Sequence, residues 1–160
     1  LDWALAYDLL ERRVEIPNSI QVDIGGSVAG VPGRRIMIVD DDASIRSTLQ
    51  RLLSQEGYEV IQAADGSEAV RLWRERGGDL VITDLHMPEK DGIQTIVELV
   101  SHTPSIRIIA MSGGGQTKRL DLLGNLPLLG SIHTIEKPFT LTEMLTVVTR
   151  ALTSPAGPRR

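Results

Sequence analysis

The sequence predicts an α/β protein built on a parallel sheet with helices on both faces. Two observations carry that prediction. From about residue 35 to residue 152, apolar runs of strand length alternate with segments of helical spacing, giving five βα units. The first run, Ile36 to Val39, is continuously apolar, as a strand buried on both faces must be. Right-handed crossovers then bring the carboxyl ends of all the strands to one rim, where open sheets of this class bind ligands.

At 160 residues the chain is about one domain, long enough to bury roughly two-thirds of the surface its unfolded chain exposes. The absence of cysteine excludes a disulfide scaffold, a thiolate metal site and a cysteine nucleophile. No run of apolar residues is long enough to span a bilayer, and no signal sequence precedes the first strand, so a cytoplasmic protein without membrane insertion is expected. Net charge is −4, and the basic residues are scattered rather than gathered in a stripe, which argues against direct nucleic-acid binding. Residues 1–33 hold 2 basic and 5 acidic residues, leaving the remainder close to neutral.

Residues 1–33 read as an N-terminal appendage and linker. Leu1, Trp3, Leu5, Tyr7, Leu9 and Leu10 suit a short amphipathic helix, and Pro17 breaks it. Ile20, Val22 and Ile24 alternate with polar residues before a Gly- and Pro-rich stretch up to Gly33. The main domain is expected over 34–153. Its first strand stops at Asp40-Asp41-Asp42, and Ile45, Leu49, Leu52 and Leu53 then follow helical spacing to Gly57. Tyr58 to Ile61 is the second strand. Asp65-Gly66-Ser67-Glu68 resembles a capping box opening a helix with Ala69, Leu72 and Trp73, closed by Gly77-Gly78.

Leu80 to Thr83 is the third strand, which presents Asp84 at its tip before Met87-Pro88 and Asp91-Gly92 stop it. Ile93, Ile96, Val97 and Val100 mark the next helix, and Ile106 to Met111 a fourth strand ending at Ser112. A weaker helix is expected from about Gln116 to Leu123. A short strand from Ser131 to Ile135 then reaches Glu136-Lys137-Pro138, and Thr140-Leu141-Thr142-Glu143 is a second capping box, before Met144, Leu145, Val148 and Leu152. Residues 154–160 form a polar tail.

Asp40, Asp41, Asp84, Ser112 and Lys137 therefore follow four strands and should converge. Taken singly, each has a plain role: Asp84 as a turn cap, Asp40 to Asp42 as helix caps, Ser112 as a loop residue, Lys137 as a solvated turn. Together they make a chemical unit. Crowded carboxylates repel, and a hard divalent ion such as Mg²⁺ resolves this by taking one or two carboxylates with waters and phosphoryl oxygens. A carboxylate attacks phosphorus once a metal and a lysine spread the charge, so Asp84 is a candidate phosphoacceptor with Lys137 and Ser112 contacting phosphoryl oxygens.

Four blocks in this order, Ile38-Val39-Asp40-Asp41, Asp84 to Gly92, Met111-Ser112-Gly113 and Glu136-Lys137-Pro138-Phe139, resemble the receiver domain of bacterial two-component response regulators. The resemblance covers roughly 35–152. It implies a flavodoxin-like (βα)5 doubly wound fold with strand order 2-1-3-4-5. It further implies Asp84 as phosphoacceptor, Asp41 as a direct Mg²⁺ ligand, Asp40 reaching the metal mainly through water, and the main-chain carbonyl of His86 as a further ligand. The His86 imidazole is not needed for metal. Ser112 and Lys137 match the hydroxyl and lysine of the family. Where many members carry an aromatic switch residue, this chain has Thr134, so a buried ring cannot report activation.

The expected function is that of a phospho-accepting, non-enzymatic switch supplied by a histidine kinase or histidine phosphotransfer protein. It would signal to a downstream protein target by contact, with a second copy of the chain as one option, since the tail is too short for an output domain. The rival within the family is the C-terminal receiver of a hybrid kinase. The rival from another class, a Mg²⁺-dependent aspartyl-phosphate phosphohydrolase, usually has an acid two residues after its nucleophile and a cap domain. This chain has His86 there and no cap. A third reading, a degenerate receiver acting only as a binding module, is disfavoured by the filled acidic, hydroxyl and lysine positions.

Overall fold

The computed structural model describes residues 33–87, 92–113 and 131–154. The helix expected near Gln116 to Leu123, most of the N-terminal appendage and the tail beyond Ser154 lie outside the described residues. Five strands, β1 (Arg35–Val39), β2 (Glu59–Ala63), β3 (Leu80–Asp84), β4 (Arg107–Ser112) and β5 (Ser131–Glu136), form one sheet. Every pairing is parallel and the order is β2-β1-β3-β4-β5, matching the expected doubly wound topology. Four described helices are α1 (Ala43–Gln55), α2 (Gly66–Arg76), α3 (Gly92–His102) and α4 (Leu141–Thr153).

The alternation of side chains along the strands builds two cores. Ile36, Ile38, Leu80, Ile82, Ile109 and Met111 pack on one face with residues of α1 and α4. Met37, Val39, Val81, Ile108 and Ala110 pack on the other with residues of α2 and α3. All five residues of β3 are buried, as the central strand of a two-faced sheet requires. The switch in strand order falls between β1 and β3, and because the strands are parallel the carboxyl ends of β1, β3, β4 and β5 lie side by side at one rim.

Local chemistry sets the helix starts. Thr140 forms the expected capping box: its Oγ1 accepts from the Glu143 N–H at 3.1 Å, while Glu143 Oε2 accepts from the Thr140 N–H at 2.6 Å. At α2 the box is half displaced. Asp65 accepts from the Glu68 N–H at 2.8 Å, but Glu68 reaches past the cap to the N–H of Ala64 at 2.8 Å. Thr140→Ala is expected to cost ~1 kcal/mol in a denaturant titration with an unchanged m-value. No loss of stability would mean that the reciprocal box does not hold the start of α4.

One apolar residue of a correctly placed helix faces outward, and one strand boundary needs correction. Val97 fits the helical spacing of α3, yet it is 46% exposed, because it lies a quarter-turn from the buried face of Ile96, Leu99 and Val100. Strand β2 runs to Ala63, past the expected Ile61, because Asp40 extends the β1–β2 ladder by donating its N–H to the Ala63 carbonyl at 3.2 Å.

Candidate phosphoryl and metal site

Asp84 closes β3 opposite Met111, and the next residue continues the pairing: the Leu85 N–H donates to the Met111 carbonyl at 3.0 Å. Asp84 is only 5% exposed. Its Oδ1 accepts from the main-chain N–H of His86 at 3.1 Å, which fixes the carboxylate in the rim. Its Oδ2 lies 3.4 Å from Lys137 Nζ. The side chain of Thr83 donates to the Asp84 carbonyl at 3.1 Å.

The acidic run after β1 divides its work. Asp42 is the cap of α1, accepting from the Ser44 N–H at 2.8 Å, so the plain helix-capping role belongs to this aspartate. Asp41 is exposed. Asp40 is fully buried, accepts from the Asp42 N–H at 2.9 Å through Oδ1, and places Oδ2 3.6 Å from Lys137 Nζ. That Oδ2 has no hydrogen-bond partner. Asp40, Asp41 and Asp84 each offer a carboxylate oxygen within 4.8 Å of the others.

Lys137 follows β5, and its N–H donates to the Ser112 carbonyl at 2.7 Å, tying the lysine to the end of β4. The Lys137–Pro138 peptide is cis. The Ser112 side chain is buried with an unpartnered hydroxyl. Asp40, Asp41, Asp84, Ser112 and Lys137 thus occupy the ends of four adjacent strands, and His86 lies just beyond Asp84 with an exposed side chain. Thr134 is not part of this rim. It is exposed on β5 and lines a groove of about 460 Å³ with Phe139, Glu143 and Val147.

Burial pushes the Asp40 carboxyl up to about 6. The Asp42 N–H and Lys137 hold it back, while Asp84 and Asp41 add to the rise. Repulsion among the carboxylates therefore acts as expected, but it is secondary to desolvation. Because the folded value lies above the ordinary 3.8, the folded state keeps this proton in the intervening window. The stability from that proton is complete below about pH 4 and is lost as pH rises through about 6, a change of up to about 3 kcal/mol. Asp40→Asn is accordingly expected to raise the thermal midpoint of the metal-free protein at about pH 7.5, with a smaller gain near pH 4.5. A lowered midpoint at the higher pH would contradict the desolvation argument.

Two residues have positioning roles that the sequence does not disclose. Arg46 on α1 donates from Nη1 to the Asp40 carbonyl at 2.7 Å and from Nε to Gln62 Oε1 at 3.3 Å, holding the backbone where the acidic pair begins. An arginine in a helix otherwise reads as a solvated charge. Gly92 opens α3 directly against the end of β3: a Cβ there would meet the Asp84 carbonyl oxygen at 2.1 Å and Leu85 Cα at 2.6 Å. In the sequence Asp91-Gly92 reads as a turn and as the end of the Asp84 block, with no reason shown for the glycine.

Comparison with known proteins agrees with this architecture. The family model for the response regulator receiver domain matches residues 36–149. The chain belongs to that family, whose members are the receiver domains of two-component systems. It is 35% identical over 127 residues to the transcriptional regulatory protein PdtaR of Mycobacterium tuberculosis, covering 78% of this chain and 58% of that protein. It is 33% identical over 144 residues to the sensor kinase CckA of Brucella abortus, covering 89% of this chain and 14% of the kinase. The chain thus spans only part of either relative. A receiver domain protein of Clostridium thermocellum superposes with a TM-score of 0.67 at 27% identity, over 74% of this chain and 94% of that one.

Proposed function

We propose that the chain is a phosphorylation switch in which Asp84 accepts a phosphoryl group from the phosphohistidine of a kinase or a phosphotransfer protein. The carboxylate oxygen forms the new P–O bond, the P–N bond breaks, and the imidazole leaves with a proton. The observation that carries this reading is the placement of Lys137 Nζ 3.4 Å from Asp84 Oδ2 and 3.6 Å from Asp40 Oδ2, beside the unpartnered Ser112 hydroxyl. Lys137 is positioned to pair with one phosphoryl oxygen, and Ser112 has a donor free for another.

The donor set also fits Mg²⁺. Three carboxylates within 4.8 Å offer hard oxygen ligands, and the buried Asp40 Oδ2 lacks any hydrogen-bond donor. Asp41 and Asp84 would hold the ion directly, Asp40 through water, and the His86 carbonyl would complete the protein ligands. When bound, Mg²⁺ supplies charge neutralisation for the incoming phosphoryl group. The Ser112 hydroxyl would bond a phosphoryl oxygen, and that contact would shift the end of β4 and convert the local charge into a surface change.

On this reading the protein turns over no external substrate, and its output is contact with a downstream protein target. Residues 34–153 are the receiver unit, and a cytoplasmic setting follows from its kinase partner. Among the described residues no helix is long and apolar enough to cross a membrane. A second arrangement, the receiver of a hybrid kinase, is favoured by one observation. The match to CckA takes in 89% of the chain, more than the 78% shared with PdtaR. Intact mass after incubation with acetyl phosphate tests the switch: one phosphoryl group is gained with Mg²⁺ and none with EDTA. Equal uptake with EDTA would exclude the metal, and no uptake from either acetyl phosphate or a phosphorylated kinase would exclude the switch.

A further inference from the structure

The peptide between Asp40 and Asp41 is held from outside the rim. Asp40 donates its N–H to the Ala63 carbonyl at 3.2 Å, and its own carbonyl accepts from Arg46 Nη1 at 2.7 Å. Arg46 lies in the first turn of α1, where its main-chain N–H donates to the Asp42 carbonyl at 3.1 Å. A single half-buried residue therefore fixes the chain on both sides of Asp41, whose own side chain is exposed.

The guanidinium is itself steered. Its Nε donates to Gln62 Oε1 on β2 at 3.3 Å, and the Gln62 amide turns its NH2 to Gln50 Oε1, one helical turn after Arg46. A planar guanidinium serves two acceptors in a fixed fork, here the Asp40 carbonyl and the Gln62 amide, whereas a lysine ammonium on a flexible stem does not. Arg46, Gln50 and Gln62 thus form a polar clasp that joins the start of α1 to β2, with the Asp40–Asp41 peptide as its third anchor.

We propose that this clasp tunes the metal site: by setting the Asp40–Asp41 peptide, Arg46 presets the Asp41 carboxylate beside Asp84 and so raises the affinity for a hard divalent cation. The inference rests on the Mg²⁺ reading above. Asp40, Asp41 and Asp84 offer carboxylate oxygens within 4.8 Å of one another, a spacing that depends on where the backbone of Asp41 lies. Groups that orient a ligand without touching the ion commonly change metal affinity by about 10- to 100-fold. Arg46 has two opposed effects, and their signs make its role decidable. By Coulomb's law, removing a cation near the acidic rim strengthens binding of a divalent ion. Loss of the clasp frees Asp41 and weakens it.

Mn²⁺ shares the preference of Mg²⁺ for carboxylate and carbonyl oxygens, and the EPR signal of the free ion counts unbound metal directly. In the full chain, Arg46→Met, which keeps an unbranched stem but no charge or donor, is expected to weaken Mn²⁺ binding about 10-fold. Gln62→Leu, which alters no charge, should weaken it severalfold, and Arg46→Lys should fall between Arg46→Met and the native chain. Arg71→Met is the control: Arg71 is exposed on α2 with Glu75 as its partner at 3.1 Å, and its loss should leave binding as in the native chain. Unchanged or tighter binding in Arg46→Met would overturn the proposal. So would unchanged binding in Gln62→Leu, which keeps the question decidable if the thermal midpoint without metal shows Arg46→Met to be unfolded. A native chain that binds no Mn²⁺ would instead overturn the metal reading, and this proposal with it.

Discussion

Asparagine in place of Asp84 is expected to abolish phosphoryl uptake while leaving the fold intact. The amide keeps the shape of the carboxylate, and its oxygen can still accept the His86 N–H that fixes Asp84 at 3.1 Å. What is lost is the nucleophile and the charge facing Lys137 at 3.4 Å. An amide oxygen does not form a stable phosphoryl ester under these conditions, so no partial activity should remain, unlike the outcome for a residue that only positions another. Uptake unchanged in the Asn variant would transfer the acceptor role to a different side chain. Lys137→Ala, which removes only a stabilising charge, is expected to slow uptake by about 100-fold rather than end it.

The second large effect concerns a residue with no chemistry of its own. Gly92→Ala would place a methyl 2.1 Å from the Asp84 carbonyl oxygen and 2.6 Å from Leu85 Cα, both backbone atoms that cannot rotate aside. Either the start of α3 moves away from the sheet or the end of β3 yields. The expected cost is about 3 kcal/mol, which lowers the thermal midpoint of a chain this size by roughly 6–12 °C. Displacing Asp84 by even about 1 Å should also cut the rate of phosphoryl uptake about 100-fold. Gly113→Ala is the matched control, because nothing lies within 4 Å of a Cβ there. Its effect on stability should stay within about 0.5 kcal/mol. Similar stability for the two variants would show that the close approach at Gly92 relaxes freely.

The contrast between Asp84 and Gly92 shows which parts of the site a sequence makes legible. Asp40, Asp84, Ser112 and Lys137 each end or follow a recognisable apolar run, and a parallel sheet brings such ends together by construction. Their identity and approximate placement therefore follow from local pattern. Gly92 and Arg46 act on main-chain atoms of other elements, Asp84 and Leu85 in one case and Asp40 in the other. No periodicity records such contacts. Val97 fails for a related reason: an apolar residue beside a buried helix face looks inward in the spacing, and only packing decides its fate.

Electrostatics was legible in sign but not in cause. Three carboxylates at one rim predict that one resists ionisation, and Asp40 does. The sequence cannot say that Asp40 is fully buried while Asp41 is exposed, and burial contributes most to the shift. The same division separates the acidic run by role. Asp42 caps a helix, Asp41 faces solvent, and Asp40 sits beneath Lys137 with one oxygen lacking a hydrogen-bond donor.

The most direct test of the switch is to locate the phosphoryl group. Borohydride reduces an acyl phosphate to the alcohol, so treatment of the phosphorylated protein followed by peptide mass spectrometry marks the acceptor permanently. Homoserine is expected at position 84 only, and only when both phosphodonor and Mg²⁺ have been present. Homoserine at position 40 or 41, or a phosphoryl group that survives borohydride as a serine or histidine adduct, would contradict it.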